Sequence, residues 1–184
     1  TVGLAAALAS AAESSGYSRR VSMTREGCQQ IPGGSDRPGA WQEVRFDSER
    51  NPAESFHLQM PVFRPHGVRV LISDLLWLGN PMEILNPMTD RSAATLVVQV
   101  LASIDANPAE LGNHRLVDSE TGENLDLFID RPGLDRYLAN LNRHQQAWRT
   151  ACRQTGATFL TFIAEDLCRD WDLSELVQAE ILTM

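Results

Sequence analysis

The sequence predicts an α/β sandwich, a mainly parallel sheet with helices on both faces, plus one β-hairpin. Two short runs of aliphatic and β-branched residues, 68–72 and 95–101, are separated by a segment of helical pattern. Buried strands joined through a helix form a parallel βαβ unit. A third such run, Ala157-Thr158-Phe159-Leu160-Thr161-Phe162-Ile163-Ala164, follows the longest helical periodicity in the chain. Between the second and third runs, two apolar stretches flank Glu120-Thr121-Gly122-Glu123, the pattern of a hairpin.

Taken in order, residues 2–15 are rich in Ala and Leu and read as a helix stopped by Gly16. The stretch could be mistaken for a signal peptide, but it has no basic segment before it. The chain opens inside this helix without an initiator Met, so a strand is expected upstream of Thr1. Residues 18–25 read as a strand, with Val21 and Met23 on one face. Residues 27–40, centred on Pro32-Gly33-Gly34-Ser35-Asp36, have loop composition. Residues 41–46 fit either a helical turn or a short strand. Asn51-Pro52 opens a short helix, with Asn as cap and Pro at the first position.

The strand at 68–72 is too short to span a membrane. Asn80-Pro81 repeats the helix-start signal, and Ile84, Leu85 and Met88 form an apolar face, with Pro87 expected to kink or end that helix. In residues 134–154, Leu134, Tyr137, Leu138, Leu141, Trp148 and Cys152 recur at helical spacing, and Gly156 supplies the stop. Residues 172–182 close the chain as a helix faced by Leu173, Leu176, Val177 and Ile181. No internal repeat and no linker is visible, so the 184 residues read as one domain.

Composition excludes several function classes. The formal charge is −8 and Lys is absent, which argues against nucleic-acid or anionic-membrane binding, since both require a basic face. No apolar run reaches the ~20 residues of a membrane span. Cys28, Cys152 and Cys168 are odd in number and far apart, which fits inert thiols in a reducing, cytoplasmic compartment. There is no phosphate-binding loop ending in Gly-Lys-Ser/Thr, no GxSxG elbow, and no pairing of His57, His66, His114 and His144 at metal-ligand spacing. The acidic stretch 118–123 lacks the alternation of a calcium loop and reads as a solvated hairpin turn.

The pair Ser73-Asp74 ends the first buried strand, and ligands of open α/β sheets sit at that carboxyl edge. Two readings fit. Asp74 can present a carboxylate to a hard cation such as Mg²⁺, or Ser73 and Asp74 can simply cap the following turn. Ser35 likewise is either a second hydroxyl ligand or part of a plain Gly-rich turn. One carboxylate is not a complete site, because a divalent ion takes several oxygen ligands. Trp77, just past the edge, is either core packing or a contact for a partner.

Three stretches together carry a resemblance: Arg69-Val70-Leu71-Ile72-Ser73-Asp74-Leu75-Leu76, Leu116-Val117-Asp118-Ser119-Glu120-Thr121-Gly122-Glu123, and the long helix with Tyr137, His144 and Cys152 followed by Gly156-Ala157-Thr158-Phe159-Leu160. They resemble the C-terminal part of the bacterial family called domain of unknown function 58, whose core is similar to a von Willebrand factor A domain. The resemblance runs from Val68 onward and takes in the first helix and strand more weakly. It implies a Rossmann-like three-layer sandwich with a metal-ion-dependent adhesion site at the carboxyl edge. In such domains a D-x-S-x-S loop follows the first strand, a second loop supplies a Thr and a third an Asp. Asp74 matches the third position, Ser73 stands beside it, Ser35 stands loosely at the second, and the first loop is expected upstream of Thr1. The intact protein would then bind Mg²⁺, whereas these residues alone would not hold it tightly.

The resemblance also implies a non-enzymatic interaction module working with a MoxR-type AAA+ ATPase, the ion bridging to a partner carboxylate. Two other functions fit the same residues. A metal-assisted hydrolase would use Asp74 as one ligand and would need further carboxylates or histidines at neighbouring strand ends. A purely structural α/β domain would need none.

Overall fold

The computed structural model describes residues 1–31, 38–41, 44, 48, 50–108, 111–117, 122 and 124–182. The chain divides into two compact units, Thr1–Arg64 with Trp77–Gly79, and Pro65–Leu76 with Asn80–Met184. Among the described residues no helix is long and apolar enough to cross a membrane.

In the first unit, α1 (Val2–Ser14) ends at Gly16, whose φ of +79° turns the chain while the Tyr17 amide donates to Ala12 O at 2.8 Å. Strand β1 (Ser22–Arg25) is shorter than expected and pairs antiparallel with β2 (Gly27–Gln30). The expected loop at 27–40 therefore begins as a strand. Its short sequence has no apolar alternation to announce it, and its pairing is set from outside. Gly27 adopts φ +98°, a Cβ there would lie 2.7 Å from Gln59 Cβ, and the Cys28 amide donates to Gln59 O at 2.8 Å. Residues 32–37, Ser35 among them, lie outside the described residues, as do most of 41–46. Helix α2 (Pro52–Leu58) starts as predicted: Asn51 Oδ1 accepts from the Ala53 amide at 2.8 Å and Pro52 occupies the first position. Buried Ser55 donates its hydroxyl to Arg25 O, tying α2 to β1.

In the second unit the three predicted apolar runs become β3 (Val68–Ser73), β4 (Ala94–Leu101) and a last strand at Thr158–Ile163. Helix α3 (Met82–Thr89) joins β3 to β4, and α4 (Ser103–Ala106) follows β4. An antiparallel hairpin of β5 (Gly112–Val117) and β6 (Asn124–Ile129) leads into α5 (Arg131–Thr155), and the last strand is then β7. Helices α6 (Ala164–Asp170) and α7 (Ser174–Gln178) end the unit. The sheet is parallel throughout, in the order β3-β4-β7. Central β4 is buried from Thr95 to Leu101, as its continuous apolar run requires.

Register puts Arg69, Leu71 and Ser73 on one face with Thr95, Val97 and Gln99, and with Phe159 and Thr161. Helices α3 and α5 pack together over this face. Pro87 does not end α3, which runs on to Thr89. Proline removes a single amide, and the carbonyls of the last turn find side-chain donors instead. Arg69 Nη1 donates to Pro87 O and Met88 O, each at 3.0 Å, and Thr95 Oγ1 donates to Met88 O at 2.9 Å.

Helix α5 buries Trp148 and Cys152 of its predicted core face, whereas Leu134, Leu138 and Leu141 are half-buried and Tyr137 is exposed. Asp130 Oδ1 caps it on the Gly133 amide at 2.7 Å, and Gly156 closes it at φ +73°. The expected helix at 172–182 shortens to α7, and just ahead of it Asp172 Oδ1 accepts from the Ser174 amide at 2.9 Å. In the hairpin, Arg115 Nε meets Asp126 Oδ1 at 2.8 Å across the strands.

Candidate functional site

Parallel strands end on the same side, so one edge of the second unit gathers the residues that follow β3, β4 and β7. Ser73-Asp74 leaves β3, Ser103-Ile104-Asp105 opens α4 after β4, and Glu165 lies in the first turn of α6 after β7. Behind this rim runs a polar row, because register sets Ser73 beside Gln99 and Gln99 beside Thr161.

The Asp74 turn is built from short polar contacts. Ser73 Oγ accepts from the Leu75 amide at 3.2 Å, and Asp74 Oδ1 accepts from the Leu76 amide at 3.1 Å. Both residues thus cap the turn as one of the two sequence readings expected. Asp74 is nonetheless exposed at the edge. The next residue, Leu75, is fully buried at φ +59°, a left-handed conformation that a leucine rarely adopts. The carbonyl of Asp74 accepts from Gln99 Nε2 at 2.8 Å, and His144 Nε2 bonds to the carbonyl of Leu75.

The rim is electronegative. Burial first, and then the negative charge of Asp74, push the Asp105 carboxyl above the usual range; Glu165 adds to the effect, against a hydrogen bond with the Ala102 backbone. Glu165 moves the other way. Its own backbone amide and the hydroxyl and amide of Ser103 stabilise the carboxylate, with Oε2 2.9 Å from Ser103 Oγ and 2.8 Å from its nitrogen. Tyr137 donates its hydroxyl to Asp105 O at 2.7 Å, and burial together with the Asp105 charge pushes its pKa above the usual phenol range.

A raised carboxyl opposes folding once it ionises, so its penalty is absent at acid pH and appears as pH rises through the folded-state value. Asp105→Asn is therefore expected to raise the thermal midpoint at pH 7, with the gain vanishing below about pH 4. Thermal unfolding at the two pH values checks this, and an equal difference at both would refute the electrostatic origin.

Of the predicted ligands, Asp74 and Ser73 meet at the edge, with Ser73 Oγ 3.3 Å from Asp74 Oδ1. The hydrolase reading required carboxylates at neighbouring strand ends, and Asp105 and Glu165 occupy them, although neither belongs to a sequence motif. Their signal was present: each follows an apolar strand closely, as Asp74 does. Among the described residues, no three His, Cys, Asp or Glu side chains come together closely enough to hold a metal ion. In the donor chemistry of this rim the exposed Asp74 carboxylate fits a hard cation, with Oδ1 already accepting from the Leu76 amide, while Glu165 is occupied by Ser103 and Ser73 by its turn. The acidic stretch at 118–123 lies outside the described residues apart from Gly122. Burial pushes the Cys28 thiol up to about 11 and the Cys152 thiol up to about 12, so neither is a nucleophile at neutral pH.

No protein-family model matches the chain, and no curated protein matches it. The crystal structure of an uncharacterized membrane-spanning protein from Vibrio fischeri aligns over 97% of this chain and 84% of its own, at 11% identity and a TM-score of 0.25. A likeness at that level carries no argument about fold or function.

Proposed function

We propose that the chain is a non-enzymatic protein-interaction module whose contact face is the carboxyl edge of β3-β4-β7. The observation that carries this reading is the exposed Asp74 carboxylate, held on a tightly capped turn beside Asp105 and Glu165. A rim of three carboxylates attracts a cationic group or a divalent ion. On the resemblance to the domain of unknown function 58 family and its von Willebrand factor A-like core, the partner is a MoxR-type AAA+ ATPase. Asp74 would hold Mg²⁺, with further oxygen ligands from the partner or from upstream residues. The bound ion would supply positive charge to a partner carboxylate.

The second reading, a metal-assisted hydrolase, draws its support from Asp105 and Glu165 at the neighbouring strand ends. Binding of the chain to a purified MoxR-type ATPase, measured with Mg²⁺ and with a chelator, separates the two. Asp74→Ala and chelation are each expected to weaken binding at least about tenfold. Binding indifferent to Asp74 would reject the proposed contact face. Phosphatase or peptidase turnover that disappears in Asp74→Ala would establish the hydrolase instead.

A further inference from the structure

We propose that Gln99, together with the adjacent α5 residues His144 and Gln145, positions the Asp74 turn; the functional weight of this role rests on the reading of Asp74 given above. The turn contains a fully buried leucine in a left-handed conformation, which persists only where its surroundings over-determine it. The surroundings do so on both sides of Leu75. Gln99 Nε2 donates to Asp74 O at 2.8 Å, and His144 Nε2 donates to Leu75 O. Gln99 is itself fully buried, and its amide has one orientation available. Its Oε1 accepts from Gln145 Nε2 at 2.8 Å and from Thr161 Oγ1 at 3.4 Å, so the NH₂ group faces Asp74.

The clamp draws on three elements. Gln99 lies on β4, Thr161 on β7, and His144 and Gln145 are consecutive on α5. Apolar residues of the same size would fill this space at lower cost, because every buried amide must be satisfied. What the polar set adds is one fixed geometry for the two carbonyls, and with it a fixed position for the Asp74 carboxylate between them and the solvent.

Amide hydrogen exchange and Mg²⁺ titration, both followed by NMR on the full 184-residue chain, test the role. Gln99→Met and His144→Phe are expected to speed exchange of the Leu75 and Leu76 amides about tenfold or more, leaving those of Val97 and Val98 unchanged. His144→Gln, which retains an N–H donor, is expected to restore protection. Gln145→Ala, at a half-buried helix position, gives the same readout should Gln99→Met fail to fold. Mg²⁺-dependent shifts at the same amides are expected to vanish in Asp74→Ala and to weaken about tenfold in His144→Phe. Unchanged exchange at Leu75 and Leu76 in the clamp variants overturns the positioning role. Shifts that survive Asp74→Ala overturn the reading of Asp74 instead, and the exchange result then decides the clamp by itself.

Discussion

Trp148→Ala is expected to destabilise the sheet-containing unit by about 3–5 kcal/mol, the range for removing a fully packed tryptophan. Trp148 is 1% exposed and is the largest fully buried side chain of the chain's described residues. It is flanked on the helix by buried Ala151 and Cys152, which complete the apolar stripe of α5. The cavity left by an indole cannot be closed by rearranging a helix that is pinned at both ends, by Asp130 and by Gly156. Total stabilities of single domains are about 5–15 kcal/mol, so this one change removes a large share. His144 lies one turn before Trp148, so the clamp on the Asp74 turn should loosen along with the helix. Urea denaturation followed by circular dichroism measures the loss. A midpoint change equivalent to less than about 1 kcal/mol would show that α5 is seated by other residues.

Arg69→Met is expected to cost about 2–4 kcal/mol, through the end of α3 rather than through the sheet. Arg69 is 7% exposed, and its guanidinium donates to two successive carbonyls, Pro87 O and Met88 O. Those carbonyls belong to a helix C-terminus, where a positive charge is favoured by the helix dipole. Removing the donor leaves Pro87 O without this partner, while Met88 O keeps Thr95 Oγ1 at 2.9 Å. Relief from desolvating the charge offsets part of the loss, which is why the figure stays below the sum of two broken charge-assisted bonds. Arg69→Lys should recover only a fraction, because an ammonium group cannot reproduce the guanidinium fork. The loss should also change little between low and high salt, because a buried interaction is poorly screened. Strong salt dependence would place the interaction at the surface and refute the assignment.

How much of this was legible beforehand depended on the length and burial of each element. Strands β4 and β7 and helix α5 stand out because continuous apolar runs and 3.6-residue periodicity are the direct imprint of burial. Strand β2 was hidden because Gly27-Cys28-Gln29-Gln30 has neither; its pairing comes from β1 and from the Gln59 carbonyl. Helices α4 and α6, four and seven residues long, are too short for periodicity to register. The resemblance to a von Willebrand factor A-like family pointed to Asp74, with Ser73 beside it and Ser35 at the second position. Ser35, its loose companion, falls outside the described residues.

The sequence by itself determined that 68–72, 95–101 and 157–164 become strands, where α2 starts and α5 stops, and that Ser73-Asp74 closes a strand. Each of these follows from local chemistry: β-branched runs, Asn or Asp caps, a terminal glycine. Only the tertiary structure decided that Asp74, Asp105 and Glu165 share one rim and that Ser73, Gln99 and Thr161 share one row. Sheet order and register join residues up to 91 positions apart, from Asp74 to Glu165, and neither quantity is written in any local pattern. The fully buried glutamine makes the same point. In the sequence Gln99 interrupts an apolar strand, and the fold makes it a fixed hydrogen-bonding bridge from β4 to the Asp74 turn, α5 and β7.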